Sequence, residues 1–203
     1  MKKIWGSLAL CAMGLSVSSL AQADAYVAGG YGQFDQNYGY NSREKITTGD
    51  VVFKLGGKIN DYFDAELRLG TTLATDTLSA SAATVNGQRV TGSADAEYSE
   101  KYFGGGYLRV KWANSTMFTP YLIGGFSSGR NHVKVDVSGT DSNGNPVSAS
   151  ESLDDNWQSK SWGAGLDWDI SDRLGVNLEY MVYRDDSYGV KKKGPSLSAY
   201  WRL

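Results

Sequence analysis

The sequence predicts an all-β fold, an eight-stranded antiparallel up-and-down transmembrane β-barrel, and three observations predict it. The first is the C-terminus, where Leu197, Ala199, Trp201 and Leu203 alternate with Ser196, Ser198 and Arg202 up to the last residue. That is the period-two pattern of a strand. The second is an N-terminal export signal. The third is a regular alternation of long and short connections between strand-like segments. A barrel spanning a membrane shows lipid only every second residue, so its overall hydropathy stays low.

Residues 1–23 read as a cleavable secretory signal. Lys2 and Lys3 form its basic start, residues 4–17 its mainly apolar stretch, and Ala21-Gln22-Ala23 its cleavage site. Ala23-Asp24-Ala25 offers a second possible cut. The apolar stretch is short of the roughly 20 residues a membrane helix needs and is broken by Gly14, Ser16, Ser18 and Ser19. Residues 24–203 then form one domain. The only cysteine, Cys11, lies in the signal, so the mature chain is left without disulfide, thiol nucleophile or thiolate metal site.

The first strand is expected at 25–34, rich in Gly and aromatics, followed by a polar loop at 35–48. The second, 49–59, alternates Val51, Phe53, Leu55 and Ile59 with Val52, Lys54, Gly56 and Lys58. A turn at Asn60-Asp61 leads into the third, 62–73, where Phe63, Ala65, Leu67 and Leu69 oppose Asp64, Glu66, Arg68 and Gly70. Residues 74–96, rich in Ser, Thr and Ala with an Asn86-Gly87 turn signal, read as a long loop. The fourth strand, 98–112, sets Leu108, Val110 and Trp112 against Arg109 and Lys111. A turn at 113–115 precedes the fifth, 117–137. Residues 138–156, containing Asn143-Gly144-Asn145-Pro146, read as the next long loop. The sixth strand, 157–170, alternates Trp162, Ala164, Leu166 and Trp168 with glycine, serine and aspartate. Ser171-Asp172 turns into the seventh, 173–184, and residues 185–189 connect to the eighth, 190–203.

Without residues 1–23, 18 bases face 22 acids, a formal charge of −4, which argues against a nucleic-acid partner. The chain has 25 Gly, 13 Tyr and 6 Trp, a composition suited to short strands with aromatic girdles and poorly suited to helices. A secreted β-sandwich would explain neither the loop asymmetry nor the outward Trp112, Trp162, Trp168 and Trp201. An even strand number places both ends on the periplasmic side of a bacterial outer membrane, with long loops outside.

The segments Phe103-Gly104-Gly105-Gly106-Tyr107, Thr119-Pro120-Tyr121-Leu122-Ile123-Gly124-Gly125, Trp162-Gly163-Ala164-Gly165-Leu166, Leu178-Glu179-Tyr180 and the terminal strand resemble the small eight-stranded outer-membrane barrels. That family is typified by the membrane domain of OmpA and by porin-family outer-membrane β-barrel domains of Gram-negative bacteria. The resemblance covers the mature chain. It implies a monomer in contact with outer-membrane lipid and lipopolysaccharide, inserted by the barrel-assembly machinery through Leu197, Ala199, Trp201 and Leu203. It departs from the family in two places. No peptidoglycan-binding domain follows, so cell-wall tethering does not carry over, and Leu203 stands where Phe or Trp is usual.

Alternation points Lys54, Lys58, Glu66, Arg68, Arg109, Lys111, Asp167, Glu179 and Arg202 into the lumen. Of these, Lys54, Glu66, Arg68, Arg109 and Glu179 form the central charge cluster, with Glu66 and Arg109 expected as a pair. An eight-stranded lumen has just enough room for side chains, so a static polar core is favoured over a gated ion path. His132 is the only histidine, with Ser127 and Ser128 near in sequence but Lys134 where lipid A deacylases carry serine. No catalytic pair is assigned, and the chain is read as a non-enzyme without cofactor or metal. Lys191-Lys192-Lys193 is expected to meet lipopolysaccharide phosphates. The expected role is structural or surface interaction, through an extracellular ligand met by the loops. The alternatives are a narrow porin-like channel and a lipid A-modifying enzyme.

Overall fold

The computed structural model describes residues 25–37, 45–75, 77–85, 88–112, 114–141, 143–185 and 190–203. The expected signal at 1–23 and the Asn86-Gly87 turn therefore lie outside the described residues. Nine strands follow in order: β1 Ala25–Asn37, β2 Lys45–Lys58, β3 Phe63–Thr75, β4 Thr77–Val85, β5 Gln88–Lys111, β6 Phe118–Thr140, β7 Pro146–Asp169, β8 Leu174–Asp185 and β9 Lys191–Arg202. Every neighbouring pair is antiparallel, and β1 bonds to both β2 and β9. β3 and β4 pair with successive lengths of β5, so the two together make one stave and the ring closes with eight. At the seam, the Leu203 amide donates to the Ala25 carbonyl at 2.8 Å.

Period-two alternation decides which side chains meet lipid. On β6, Phe118, Leu122 and Phe126 are exposed on the outer wall, while Tyr121, Ile123 and Ser127 are buried inside it. Leu108, Leu166, Leu197 and Trp201 are likewise exposed outward. Phe118 to Phe126 is about 27 Å of strand at roughly 3.3 Å per residue, which tilted by about 40° rises ~20 Å and nearly fills the ~25 Å apolar band. Leu122, at its middle, is expected to be intolerant of charge. Leu122→Arg should cost about 2–4 kcal/mol in vesicles, as measured by urea unfolding. Ser138→Arg, far beyond the band, should fall within about 0.5 kcal/mol. Equal costs would displace the band.

The two stretches expected to be long loops are largely strand. β4 pairs with β5 from Thr77↔Glu97 to Val85↔Gln88. β6 and β7 stay paired without interruption from Phe118↔Trp168 to Thr140↔Pro146. Only the end of this hairpin turns, with Gly144 at φ +83°. There the Asp141 carboxylate accepts the amides of Asn143 and Asn145 at 2.8 Å. The Ser, Thr, Ala and Gly content imitates a loop, but Val133, Val135 and Val137 on β6 face Leu153, Glu151 and Ala149 on β7 at period two. The expected loop at 35–48 is also shorter, since β1 runs to Asn37 and β2 starts at Lys45.

The lengths matter. β5, β6 and β7 hold 24, 23 and 24 residues, β8 and β9 only 12 each. A 23-residue strand is about 76 Å long and, at a tilt of about 40°, rises ~58 Å, more than twice the apolar band. The outer parts of β4, β5, β6 and β7 therefore continue past the closed ring as a four-stranded sheet. One face carries Ala94, Ala96, Val133, Val135, Val137, Val147, Ala149 and Leu153 with Glu151 among them, and the other Asp95, Glu97, Lys134, Asp136, Ser148, Ser150 and Ser152. Protease added to intact cells should cut at 141–145 and spare the short turns at 60–61 and 171–172. Cutting at the short turns with an intact tip would invert the topology.

Candidate functional site

Two regions concentrate polar chemistry: the closed lumen and the outer wall where the ring gives way to the projecting sheet.

Residues i and i+2 on a strand share a face, so Glu66 and Arg68 on β3 both enter the lumen. Arg68 reaches across to Glu179 on β8 as a fork, Nη1 to Oε1 at 2.5 Å and Nη2 to Oε2 at 2.7 Å. Its Nε donates to Glu66, and Nη1 also donates to the Tyr183 hydroxyl at 3.0 Å. Lys54 donates to Asn177 at 2.8 Å and lies 3.5 Å from Glu179. Tyr121 donates its hydroxyl proton to Glu179 at 2.7 Å. The five residues of the expected cluster thus lie in one network, joined by Tyr26, Tyr121, Asp167, Asn177 and Tyr183.

Glu66 and Arg109 form the expected ion pair, but a long one bridged by a tyrosine. They stand 3.7 Å apart, and the Tyr26 hydroxyl lies between them, donating to Glu66 and accepting from Arg109 at 2.8 Å. The direct partner of Arg109 is Asp167, at 2.5 Å, and its guanidinium stacks 3.8 Å from the Tyr121 ring centre. Three cations (Lys54, Arg68, Arg109) face three carboxylates (Glu66, Asp167, Glu179), which offsets the cost of holding charge in a confined space. Below this layer, a cavity of about 610 Å³ opens among the short turns, lined by Tyr26, Asp64, Arg109, Lys111, Asp167 and Tyr200.

Above the layer, Phe34, Phe103 and Tyr183 pack edge to face, with ring centres 5.3 and 5.1 Å apart. Over them lies a second ionic knot, not foreseen from the sequence. Lys192 sits 2.5 Å from Asp50, pairs with Glu100, and rests 4.0 Å from the Phe103 ring centre. This corrects the expectation for Lys191-Lys192-Lys193, because the Lys192 side chain is fully buried and unable to reach lipopolysaccharide. The signal was present: with Leu197 and Ala199 outward, residues of even number on β9 point in. Lys191 is exposed and pairs with Asp185 at 3.3 Å, and Lys193 is half-buried.

On the outer wall, a β-bulge between Glu100 and Tyr102 leaves Lys101 without a partner across the ladder. The Thr71 hydroxyl accompanies it, donating to the Lys101 carbonyl at 3.0 Å. Asp154 on β7 gathers Lys101 at 3.1 Å, Arg130 at 2.8 Å and His132 Nδ1 at 2.7 Å. The His132 hydrogen bond, aided by Lys101 and Arg130, holds the Asp154 carboxyl well below the usual carboxylate range. Ser127 cannot serve His132, since it is buried on the lumen side with Tyr107 and Ser161. Ser128 is four residues away along the strand, about 13 Å. Ser99 is the cross-strand neighbour of His132 but donates no hydrogen bond to it.

A family model for the outer membrane protein beta-barrel domain matches residues 7–202. No curated protein matches the sequence. Among solved structures, Ail, the attachment invasion locus protein of Yersinia pestis, is similar with a TM-score of 0.53 at 14% identity, covering 89% of this chain and 99% of that one. Neisserial surface protein A is similar with a TM-score of 0.51 at 16% identity, covering 88% and 96%. At these identities the likeness is one of fold.

Proposed function

This chain belongs to the outer membrane protein beta-barrel domain family and resides in the bacterial outer membrane, and from that premise we propose that it is a plugged, non-enzymatic barrel that presents a rigid sheet for surface interaction. The observation that carries this reading is the unbroken β6–β7 ladder out to Thr140↔Pro146. Such a ladder holds a binding surface in a fixed conformation, which lowers the ordering cost of association. The names of the two similar structures, an attachment protein and a surface protein, agree with the reading but do not carry it.

Cells displaying the protein should bind members of an array of extracellular proteins and glycans. Cells with residues 133–153 replaced by a short turn, at equal abundance and with the barrel folded, should not. Equal binding by both would end the proposal. A narrow channel draws support from one feature, the open cavity below Arg109. Planar-bilayer recordings separate the two: the plugged barrel is expected to be silent, and steady wild-type conductance abolished by Glu66→Gln would replace it with the channel. Lipid A should be unchanged in mass whether or not cells carry the protein, given that His132 lacks a hydrogen-bonded serine.

A further inference from the structure

The cluster on the outer wall lies where the apolar band ends. Tyr102, Phe126 and Trp162 are 56%, 68% and 59% exposed on the lipid side and form the outer aromatic rim of β5, β6 and β7. Aromatic side chains of this kind mark the level where the hydrocarbon meets the headgroups. Lys101 adjoins Tyr102, Lys160 is paired across the ladder with Phe126, and Arg130 lies four residues beyond Phe126. Long basic side chains at this height extend into the headgroup layer.

We propose that Lys101 and Arg130, held by Asp154, together with Lys160, six residues nearer the aromatic rim on β7, form a docking site for the phosphate groups of an outer-leaflet lipid headgroup. Asp154 satisfies only one donor on each of Lys101 and Arg130. An ammonium has three donors and a guanidinium five, so most of theirs remain free for phosphate oxygens. The charge count favours an anion, since Lys101 and Arg130 share one carboxylate and Lys160 has no ion pair among the described residues. A patch of this sign is local to the site, because the mature chain is acidic by four charges. Two features build it rather than leave it to side-chain wandering. The bulge aims Lys101 outward, braced by Thr71 and by the hydrogen bond from the Glu100 amide to Thr72 at 3.1 Å. Asp154 then fixes Lys101 and Arg130 together, both donating to its Oδ2 while Oδ1 meets His132.

The test titrates the refolded mature barrel, in a non-ionic maltoside detergent, with diphosphorylated lipid A, with the same lipid stripped of phosphate, and with inorganic phosphate, reading bound species by native mass spectrometry. Phosphorylated lipid should bind about tenfold more tightly than the stripped lipid, and Lys101→Ala with Arg130→Ala should remove that preference. Lys160→Ala breaks no ion pair and should weaken binding by severalfold, which keeps the test open if the double variant does not fold. Lys191→Ala with Lys193→Ala should leave affinity within about twofold. Asp154→Asn raises the local positive charge but removes the organiser, so it should weaken binding. Four results would each overturn the proposal: no preference for the phosphorylated lipid, inorganic phosphate bound as well as the lipid, equal losses from Lys191/Lys193, or tighter binding by Asp154→Asn.

Discussion

Replacing Arg68 with methionine is expected to destabilise the barrel by about 3–5 kcal/mol, measured by urea unfolding in lipid vesicles. Among the described residues Arg68 is the one cation that touches both Glu66 and Glu179 directly, and both carboxylates are almost fully buried. With it gone, the remaining cation near Glu179 is Lys54, at 3.5 Å. Arg68→Lys should recover only part of the loss, because a single ammonium lacks the fork that meets both oxygens of Glu179. A double-mutant cycle with Glu179→Gln should show strong coupling, whereas Glu66→Gln with Arg109→Met should couple weakly across the intervening Tyr26. A loss below about 1 kcal/mol for Arg68→Met would be the behaviour of a solvated, screened pair. That result would speak for a water-filled passage in place of a plug.

The second large effect is expected at Lys192. Lys192→Met removes the cation that joins Asp50 and Glu100 above an aromatic layer and should cost about 3–5 kcal/mol. Adding Asp50→Asn and Glu100→Gln to that background should restore most of the loss, since no unpaired charge then remains. Lys191→Met and Lys193→Met should each stay within about 0.5 kcal/mol. Similar costs at all three positions would mean that β9 is one residue out of register.

The strands of the membrane band were legible because lipid on one side and a packed lumen on the other impose a strict alternation. Leu67, Leu108 and Leu166 against Glu66, Arg68, Arg109 and Asp167 needed no more than a period of two. Partners within the lumen were not legible. Which inward charge meets which depends on stagger between strands far apart in sequence, as with Arg68 and Glu179 or Lys192 and Glu100. Tyr26 could not be foreseen as the intermediary between Glu66 and Arg109 for the same reason. The projecting sheet was misread as loops because beyond the membrane nothing forces large apolar residues onto one face. Alanine, valine and serine suffice there, and their composition is also that of a loop. Lys192 was different: the alternation that placed Leu197 outward already placed it inward, and the triple lysine run obscured this.

The continuous β6–β7 ladder has a mechanical consequence. A pull on the tip at 141–145, directed away from the cell, runs nearly along the strands. β6 and β7 can leave the wall only by sliding past β5 and β8. In that geometry the hydrogen bonds of both flanking ladders share the load at once, instead of parting one after another as they would if the sheet were peeled sideways. Whatever grips the tip is thus coupled to the membrane anchor through a stiff tie, strong in tension and weaker when bent. Single-molecule pulling should show a high rupture force along the strand axis and a much lower one when the force is applied across it.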